Sequence, residues 1–189
     1  TDIDSVGIEN TVSSIPSYAF KGCQSLKNII IPESVTQIEE GSFLECRSLA
    51  SIEFPSSITS IGSSAFAGCS SLSKVKIPSS VTTIKTFTVL LCENMKSLEI
   101  PSSVTSIESC AFAECGSLMI VNIPSSVTSI GEGAFCDCSL LCYLKIPSSV
   151  VSIGSQAFSG CPLAGKAEIP SRFNLKEIGI SNLPTVVRN

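Results

Sequence analysis

Residues 54–76 read FPSSITSIGSSAFAGCSSLSKVK, and the same pattern returns along the chain with a 23-residue period. Prolines stand at 32, 55, 78, 101, 124, 147 and 170, and cysteines at 23, 46, 69, 92, 115, 138 and 161. Seven units align without gaps, at 8–30, 31–53, 54–76, 77–99, 100–122, 123–145 and 146–168. An eighth opens at Ile169-Pro170 and loses register after Arg172. Residues 1–7 therefore read as an N-terminal extension, and 169–189 as a degenerate eighth repeat and C-terminal cap. A fixed period of this length marks a solenoid, in which each repeat is too small to bury its own apolar face and stacks on its neighbours.

Within a unit the apolar positions indicate the backbone. In the stretch from Leu72 to Pro78, Val75 and Ile77 alternate with polar residues, as in a half-buried strand. Proline ends the strand because it has no N–H for a ladder. Val81 to Ile84 is rich in β-branched residues and reads as a second extended segment. Gly62, Gly131 and Gly154 follow as turn residues. Ala65, Phe66 and Cys69 then fall at i, i+1 and i+4, which predicts one face of a short helical turn.

The expected fold is an α/β repeat solenoid. It is a right-handed coil with a parallel β-ladder on one face, short helices or turns on the other, and a step of about 4.8 Å. Inward columns are Ile at unit position 1, Val at 5, Ile at 8, Phe at 13, Cys at 16 and Leu at 19. Phe20, Phe43, Phe66, Phe112, Phe135 and Phe158 should stack as a spine. Unit four breaks it, with Val89 in that column and Phe87 two positions early, which predicts a locally distorted coil.

Composition excludes several functions. The chain has 189 residues, of which 43% are hydrophobic and 15% charged, which rules out a disordered polymer. Its longest apolar run, Leu140 to Leu144, is far short of the roughly 20 residues a membrane helix needs. No charged n-region followed by an apolar h-region opens the chain, and a start at Thr1 fits a processed protein or an excised segment. The absence of His removes His-based triads and imidazole switches. A net charge of −4 with dispersed cations gives no footprint for nucleic acid. No phosphate-binding loop, nucleophile elbow or Asn-linked glycosylation sequon occurs. No cofactor and no catalytic residue are expected; a catalytic thiol at Cys142 or Cys136 would have no His base.

The pattern carried by Leu72, Val75, Ile77, Pro78, Val81, Ile84 and the recurring Ala-Phe and Cys positions contains the leucine-rich-repeat core. In this 23-residue form it resembles the BspA-like leucine-rich-repeat proteins. The resemblance implies a cell-surface or extracellular protein that adheres to host proteins or other cells without enzymatic chemistry. Departures are Glu9 in place of the first Pro, the irregular fourth unit and the degraded eighth.

Seven of the ten cysteines occupy one inward column and read as small buried hydrophobes. Stacking also brings their Cα atoms within disulfide range, although the side chains point the same way and one of seven would stay unpaired. Cys136-Asp137-Cys138 with Cys142 has metal-like spacing, but Cys138 should point inward and Cys142 lie on the strand. The off-column cysteines are Cys110, Cys136 and Cys142. Cys110 and Cys136 should approach across adjacent coils, as a disulfide or as two free thiols.

Outward strand residues of successive coils form the continuous surface on which solenoids bind, the concave face. Column 23 runs Ile30, Glu53, Lys76, Glu99, Asn122, Lys145, Glu168, and its alternation predicts ladder ion pairs from Glu53 through Glu99. Columns 20 and 21 both turn apolar in coils five and six, at Met119, Ile120, Cys142 and Tyr143. With Asn122, Lys145, Lys96 and Glu99 at the edge, they read as an interface core with a polar rim, or as a column partly covered by the coil edge. A rival patch is column 14, with Leu44, Ala67, Leu90 and Ala113, joined by Leu91. There, a displaced Phe87 forcing Leu90 or Leu91 inward is the packing alternative. Thr36, Thr59, Thr82, Thr105 and Thr128 predict a ladder of outward hydroxyls.

The expected function is non-enzymatic protein–protein recognition at a cell surface, with a host extracellular-matrix or cell-surface protein as partner. An intracellular leucine-rich-repeat scaffold is the alternative, favoured by cysteines without evident pairing and by the missing sequons. Arg172, Lys176 and Glu177 read as a modest C-terminal cap. The first coil reads as exposed and able to mediate self-association.

Overall fold

The computed structural model describes residues 4–181 and 186–188. The chain winds as a parallel β-solenoid, one coil to each sequence repeat. Ile120–Asn122 lies beside Tyr143–Lys145 with Ile120 opposite Tyr143, Val121 opposite Leu144 and Asn122 opposite Lys145. Three-residue strands of this kind show the pleat directly: in Lys74–Lys76 and Ile120–Asn122 only the middle residue is buried. After the proline comes a second, two-residue strand. These shorter strands stack as Ser14–Ile15, Gln37–Ile38 and Ser60–Ile61, and again from Thr83–Ile84 to Ser152–Ile153.

The predicted helical turn is absent among the described residues, for a conformational reason. Unit positions 11 and 15 adopt left-handed backbone in every coil: in coil three φ is 55° at Ser64 and 72° at Gly68. An α-helix cannot pass through such residues. The N–H groups between them alternate in direction instead. Those of Ala65, Ala67 and Cys69 close tight turns onto Gly62, Ser64 and Phe66 at 3.2–3.3 Å. Those of Ser64, Phe66 and Gly68 donate to Thr86, Thr88 and Leu90 of the next coil at 2.8–3.0 Å. A helical turn would direct the bonds it makes within its own coil. Here half of them tie one coil to the next.

Coil four keeps this pattern, so the expected distortion does not occur. Val89 donates to Ala111 at 2.9 Å and is fully buried, and Leu91 donates to Ala113 at 3.0 Å. Phe87 occupies left-handed position 11 and points outward, 39% exposed. Leu91 at position 15 is 37% exposed, and Leu90 is half-buried. Column 14 offers no apolar patch, because Ala67 and Ala113 are buried and Leu44 is half-buried. The glycines read as turn residues have another role. They lack left-handed φ, and a Cβ on Gly62 would sit 2.5 Å from the Glu39 carbonyl carbon of the preceding coil. Glycine is there because backbone approaches backbone.

The core consists of the expected columns. Phe20, Phe43 and Phe66 stack at 5.3 Å between ring centroids, and Phe112, Phe135 and Phe158 at 5.3 and 5.5 Å. Each such contact contributes about 0.5–1.5 kcal/mol beyond its area. Val89 interrupts the spine; in that coil the fully buried Met95 replaces the usual Leu, and a flexible thioether fills an irregular gap well. Ser42 and Thr88 replace the small Ala of column 12. Their hydroxyls donate to carbonyls at 2.8 Å (Glu39) and 2.7 Å (Lys85), which makes their burial tolerable.

Toward the C-terminus the winding shortens. Phe135 donates to Ala157, and the same step from Phe158 would reach Ile180; Phe158 donates to Ile178 instead. Arg172 takes over the task of the repeated second Ser after proline. Where Ser103, Ser126 and Ser149 donate to Val81, Val104 and Val127, the Arg172 guanidinium donates to Val150, and to Ser148 at 2.7 Å. Lys166–Ile169 is followed in the ladder by Val186–Arg188.

Candidate functional site

The outward face of the three-residue strands is not one unbroken ladder. Asn28–Ile30 pairs with Ser5–Gly7, Lys74–Lys76 with Ser97–Glu99, and a third stack runs from Ile120–Asn122 through Tyr143–Lys145. The predicted patch sits at the start of this third stack. Met119 and Ile120 are 54% and 52% exposed; Tyr143 and Cys142 are half-buried beside them in the next coil. The Met119 carbonyl anchors the following coil, accepting from the amides of Cys142 at 2.9 Å and Tyr143 at 3.3 Å and from the Cys142 thiol at 3.4 Å. Gly165 then lets the seventh coil close in, since a Cβ there would lie 2.8 Å from the Cys142 oxygen.

The rim divides. Asn122 and Lys145 flank the patch in register, with Lys145 paired to Glu168 at 3.4 Å. Lys96 and Glu99 lie across the interruption before Ile120, and Glu99 turns away to Lys74 at 3.1 Å and Lys76 at 4.0 Å. The Lys74 ammonium holds the Glu99 carboxyl below the usual carboxylate range, first by hydrogen bonding and then by its charge. The expected pairing of Glu53 with Lys76 does not form: both lysines serve Glu99, and Glu53 has no ion-pair partner among the described residues. Leu140 is an exposed apolar residue that the columns did not single out, 54% exposed just before this strand. Its column otherwise carries Ser25, Ser48, Ser71, Asn94 and Ser117 in the five preceding coils, and that contrast was the available signal.

All ten cysteines are free thiols. Cys46, Cys69, Cys92, Cys115 and Cys138 are fully buried, and each thiol donates to the position-13 carbonyl of the coil before it at 3.0–3.3 Å. Burial pushes the Cys46 and Cys92 thiols up to about 12. Cys110 and Cys136 meet around Gly133, whose added Cβ would lie 3.1 Å from the Cys110 sulfur and 3.7 Å from the Cys136 Cβ. Burial, with help from Asp137, raises the Cys136 thiol to about 11, the opposite of what activates a thiol nucleophile. Among the described residues no group of three or more His, Cys, Asp or Glu side chains is placed to hold a metal ion. The threonine ladder is likewise occupied: Thr59, Thr105 and Thr128 turn their hydroxyls onto the carbonyl one coil back at 3.1–3.2 Å.

Two grooves open on the strand face toward the N-terminal half. One of 520 Å³ lies between residues 28–33 and 51–55, and one of 640 Å³ between residues 51–56 and 74–79. No helix of the described residues is long and apolar enough to cross a membrane.

The arrangement has close structural counterparts. The chain is similar to a leucine-rich repeat protein from Eubacterium ventriosum, with 27% identity and a TM-score of 0.80 over 93% of this chain and 47% of that one. It is similar to a leucine rich cell surface protein from Faecalibacterium prausnitzii, with 27% identity and a TM-score of 0.60 over 99% of this chain and 60% of that one. A leucine-rich repeat protein from Bacteroides ovatus, 22% identical with a TM-score of 0.51 over 99% of this chain and 67% of that one, shares the fold. The chain thus spans about half to two thirds of the length of these proteins. No curated protein matches it at a significant level. The BspA type leucine rich repeat region matches in 6 copies, over residues 1–118 and 87–183. With that match covering nearly the whole repeat array, the chain belongs to the BspA-type leucine-rich-repeat family.

Proposed function

We propose that this chain is a recognition module of a cell-surface adhesion protein, and that it binds its protein partner through the strand face of coils five and six. The observation that carries this reading is the exposed pair Met119 and Ile120, set in register beside Tyr143 and Cys142. Two long apolar side chains on a flat polar strand face forgo burial, and such patches mark contact surfaces. Tyr143 supplies a rigid amphipathic anchor, and Asn122 and Lys145 supply a polar rim in register, with Lys96 and Glu99 beyond the interruption. Surface placement is supported by the name of the Faecalibacterium prausnitzii relative. A host extracellular-matrix protein or mucin is the partner class we favour, and recognition requires no catalytic step.

The test is a triple substitution, Met119→Ser, Ile120→Ser and Tyr143→Ser, assayed against immobilised matrix proteins and mucins. Loss of binding with an unchanged thermal transition supports the patch; undiminished binding removes it. A second reading, an intracellular scaffold, is favoured by the ten free thiols. Protease treatment of intact source cells separates the two, since a surface protein is cleaved and an internal one is spared.

A further inference from the structure

The most sustained departure from the repeat lies at Ser51–Pro55. Coils two, four, five, six and seven open with Ile31, Ile77, Ile100, Ile123 and Ile146, but coil three opens with Phe54. Its ring meets Phe66 edge-on at 5.7 Å and stays half-buried, where Ile31 and Ile77 are buried. The residues just before it leave the ladder. Residues 51–53 form no strand, although Asn28–Ile30 and Lys74–Lys76 on either side do. No backbone hydrogen bond involves Ser51 to Phe54 among the described residues; pairing stops at the Ala50 carbonyl, which accepts from Ser73 at 3.1 Å. The two grooves flank this segment on both sides. Ile30 stands 75% exposed at the first of them. Glu53 lines both and has no cationic partner among the described residues, because Lys74 and Lys76 are drawn to Glu99.

We infer that the groove between Asn28–Ile30 and Ser51–Pro55 docks an extended segment of a partner protein that presents a lysine or arginine beside an apolar side chain. Each element of the groove matches one property of that ligand. The groove is lined by two neighbouring runs, residues 28–33 and 51–55, and opens where residues 51–53 leave the ladder, so its long axis follows the chain direction and suits an extended segment. Ile30 and Phe54, with the Pro32 and Pro55 rings, give an apolar contact surface for one side chain. Glu53 provides the charge, and an ammonium or guanidinium makes the stronger, charge-assisted bond to it. Glu33 adds to the negative potential while its carboxylate accepts from the Ser56 and Ser57 amides at 3.4 and 3.3 Å. Groove and patch lie on the same strand face but in different coils, so this site stands or falls separately from Met119 and Tyr143.

The test selects a phage-displayed library of random short peptides on the full chain, then measures the enriched peptides against variants. Enriched sequences should alternate basic and apolar residues. Their binding should weaken about tenfold or more with Glu53→Lys, an exposed site whose replacement leaves the core untouched. Phe54→Ile, which restores the residue of the neighbouring coils, should close the groove and weaken them by a similar factor, while Tyr143→Ser should leave them unchanged. Failure to enrich any peptide, enrichment of peptides without a cation, or binding indifferent to Glu53→Lys would overturn the inference. If Phe54→Ile alters the circular dichroism spectrum, Glu53→Lys alone decides.

Discussion

The Cys69 thiol donates to the Phe43 carbonyl oxygen, 3.2 Å away and one coil back. That oxygen already accepts from the Cys46 amide at 3.1 Å, so the thiol fills its second lone pair inside a dry core. The same bond recurs from Cys46 to Phe20 and from Cys161 to Phe135. The cysteine column is thus an inter-coil strut as well as a filler of volume.

Removing one strut has a foreseeable cost. Cys69→Ala loses a buried hydrogen bond and leaves a void about the size of one heavy atom. The expected destabilisation is about 1–2 kcal/mol. Cys142→Ala, at a half-buried thiol on the strand face, should cost under about 0.5 kcal/mol. Urea denaturation of both variants checks the contrast, and equal costs would contradict it.

Buried thiols also set an alkaline limit. Desolvation holds Cys46 and Cys92 up at about 12 and raises Cys69 and Cys115 as well, while Cys138 is raised first by its hydrogen bond with Cys161 and then by desolvation. In the unfolded chain they ionise near the ordinary thiol value of about 8.5. Their contribution is therefore fully present below that value and is lost as pH rises above it, because the unfolded state then binds fewer protons than the folded one. With each such thiol contributing about 1.4 kcal/mol per pH unit, the urea midpoint should be flat near neutrality and fall steeply above about pH 9. Cys69→Ala should make that fall shallower, and a slope unchanged by the substitution would contradict the assignment.

Left-handed backbone at Leu91 carries strain that glycine relieves. Its φ is 58°, at the position where Gly22, Gly68 and Gly160 stand in other coils. A non-glycine residue pays about 1–2 kcal/mol there, and the extra freedom of glycine in the unfolded chain gives back about 0.5–1 kcal/mol. Leu91→Gly should therefore be neutral or stabilise by up to about 1 kcal/mol, although it removes an apolar side chain. A clear drop in the thermal midpoint would show that Leu91 packs more than its exposure implies.

Phe135 lies between two rings of the spine, 5.3 Å from Phe112 and 5.5 Å from Phe158. Phe135→Ala should cost about 3–5 kcal/mol by cavity formation and loss of both stacks. Phe87→Ala, outside the spine, should cost under about 1 kcal/mol. Comparing their unfolding midpoints tests whether the phenylalanine was displaced from the core rather than repacked within it.

Stacking is legible in the sequence because a gap-free period fixes which residues share a column, and columns decide burial. The columns alone place the Phe20–Phe66 and Phe112–Phe158 stacks and the buried Cys46 to Cys138. They mislead on the helix because the spacing of Ala65, Phe66 and Cys69 is equally satisfied by linked tight turns. The signal against a helix was present in Gly41 and Gly133 at one unit position and in Gly22, Gly68 and Gly160 at another, one helical turn further along. The proximity of Met119, Ile120, Cys142 and Tyr143 followed from the columns. The drift of Glu99 toward Lys74, and the loss of ladder pairing before Phe54, did not. Both depend on how one aromatic ring and two long lysine side chains settle in three dimensions, which a one-dimensional register does not encode.

Whether coils five and six carry a protein-binding surface is decided by one binding comparison. Wild-type chain and the Met119→Ser, Ile120→Ser, Tyr143→Ser variant are passed over the same immobilised matrix proteins and mucins. Saturable wild-type binding to at least one of them is expected, weakened about a hundredfold or more in a variant that keeps its thermal midpoint. Equal affinity of the two proteins, or no wild-type binding to any of the panel, would contradict it.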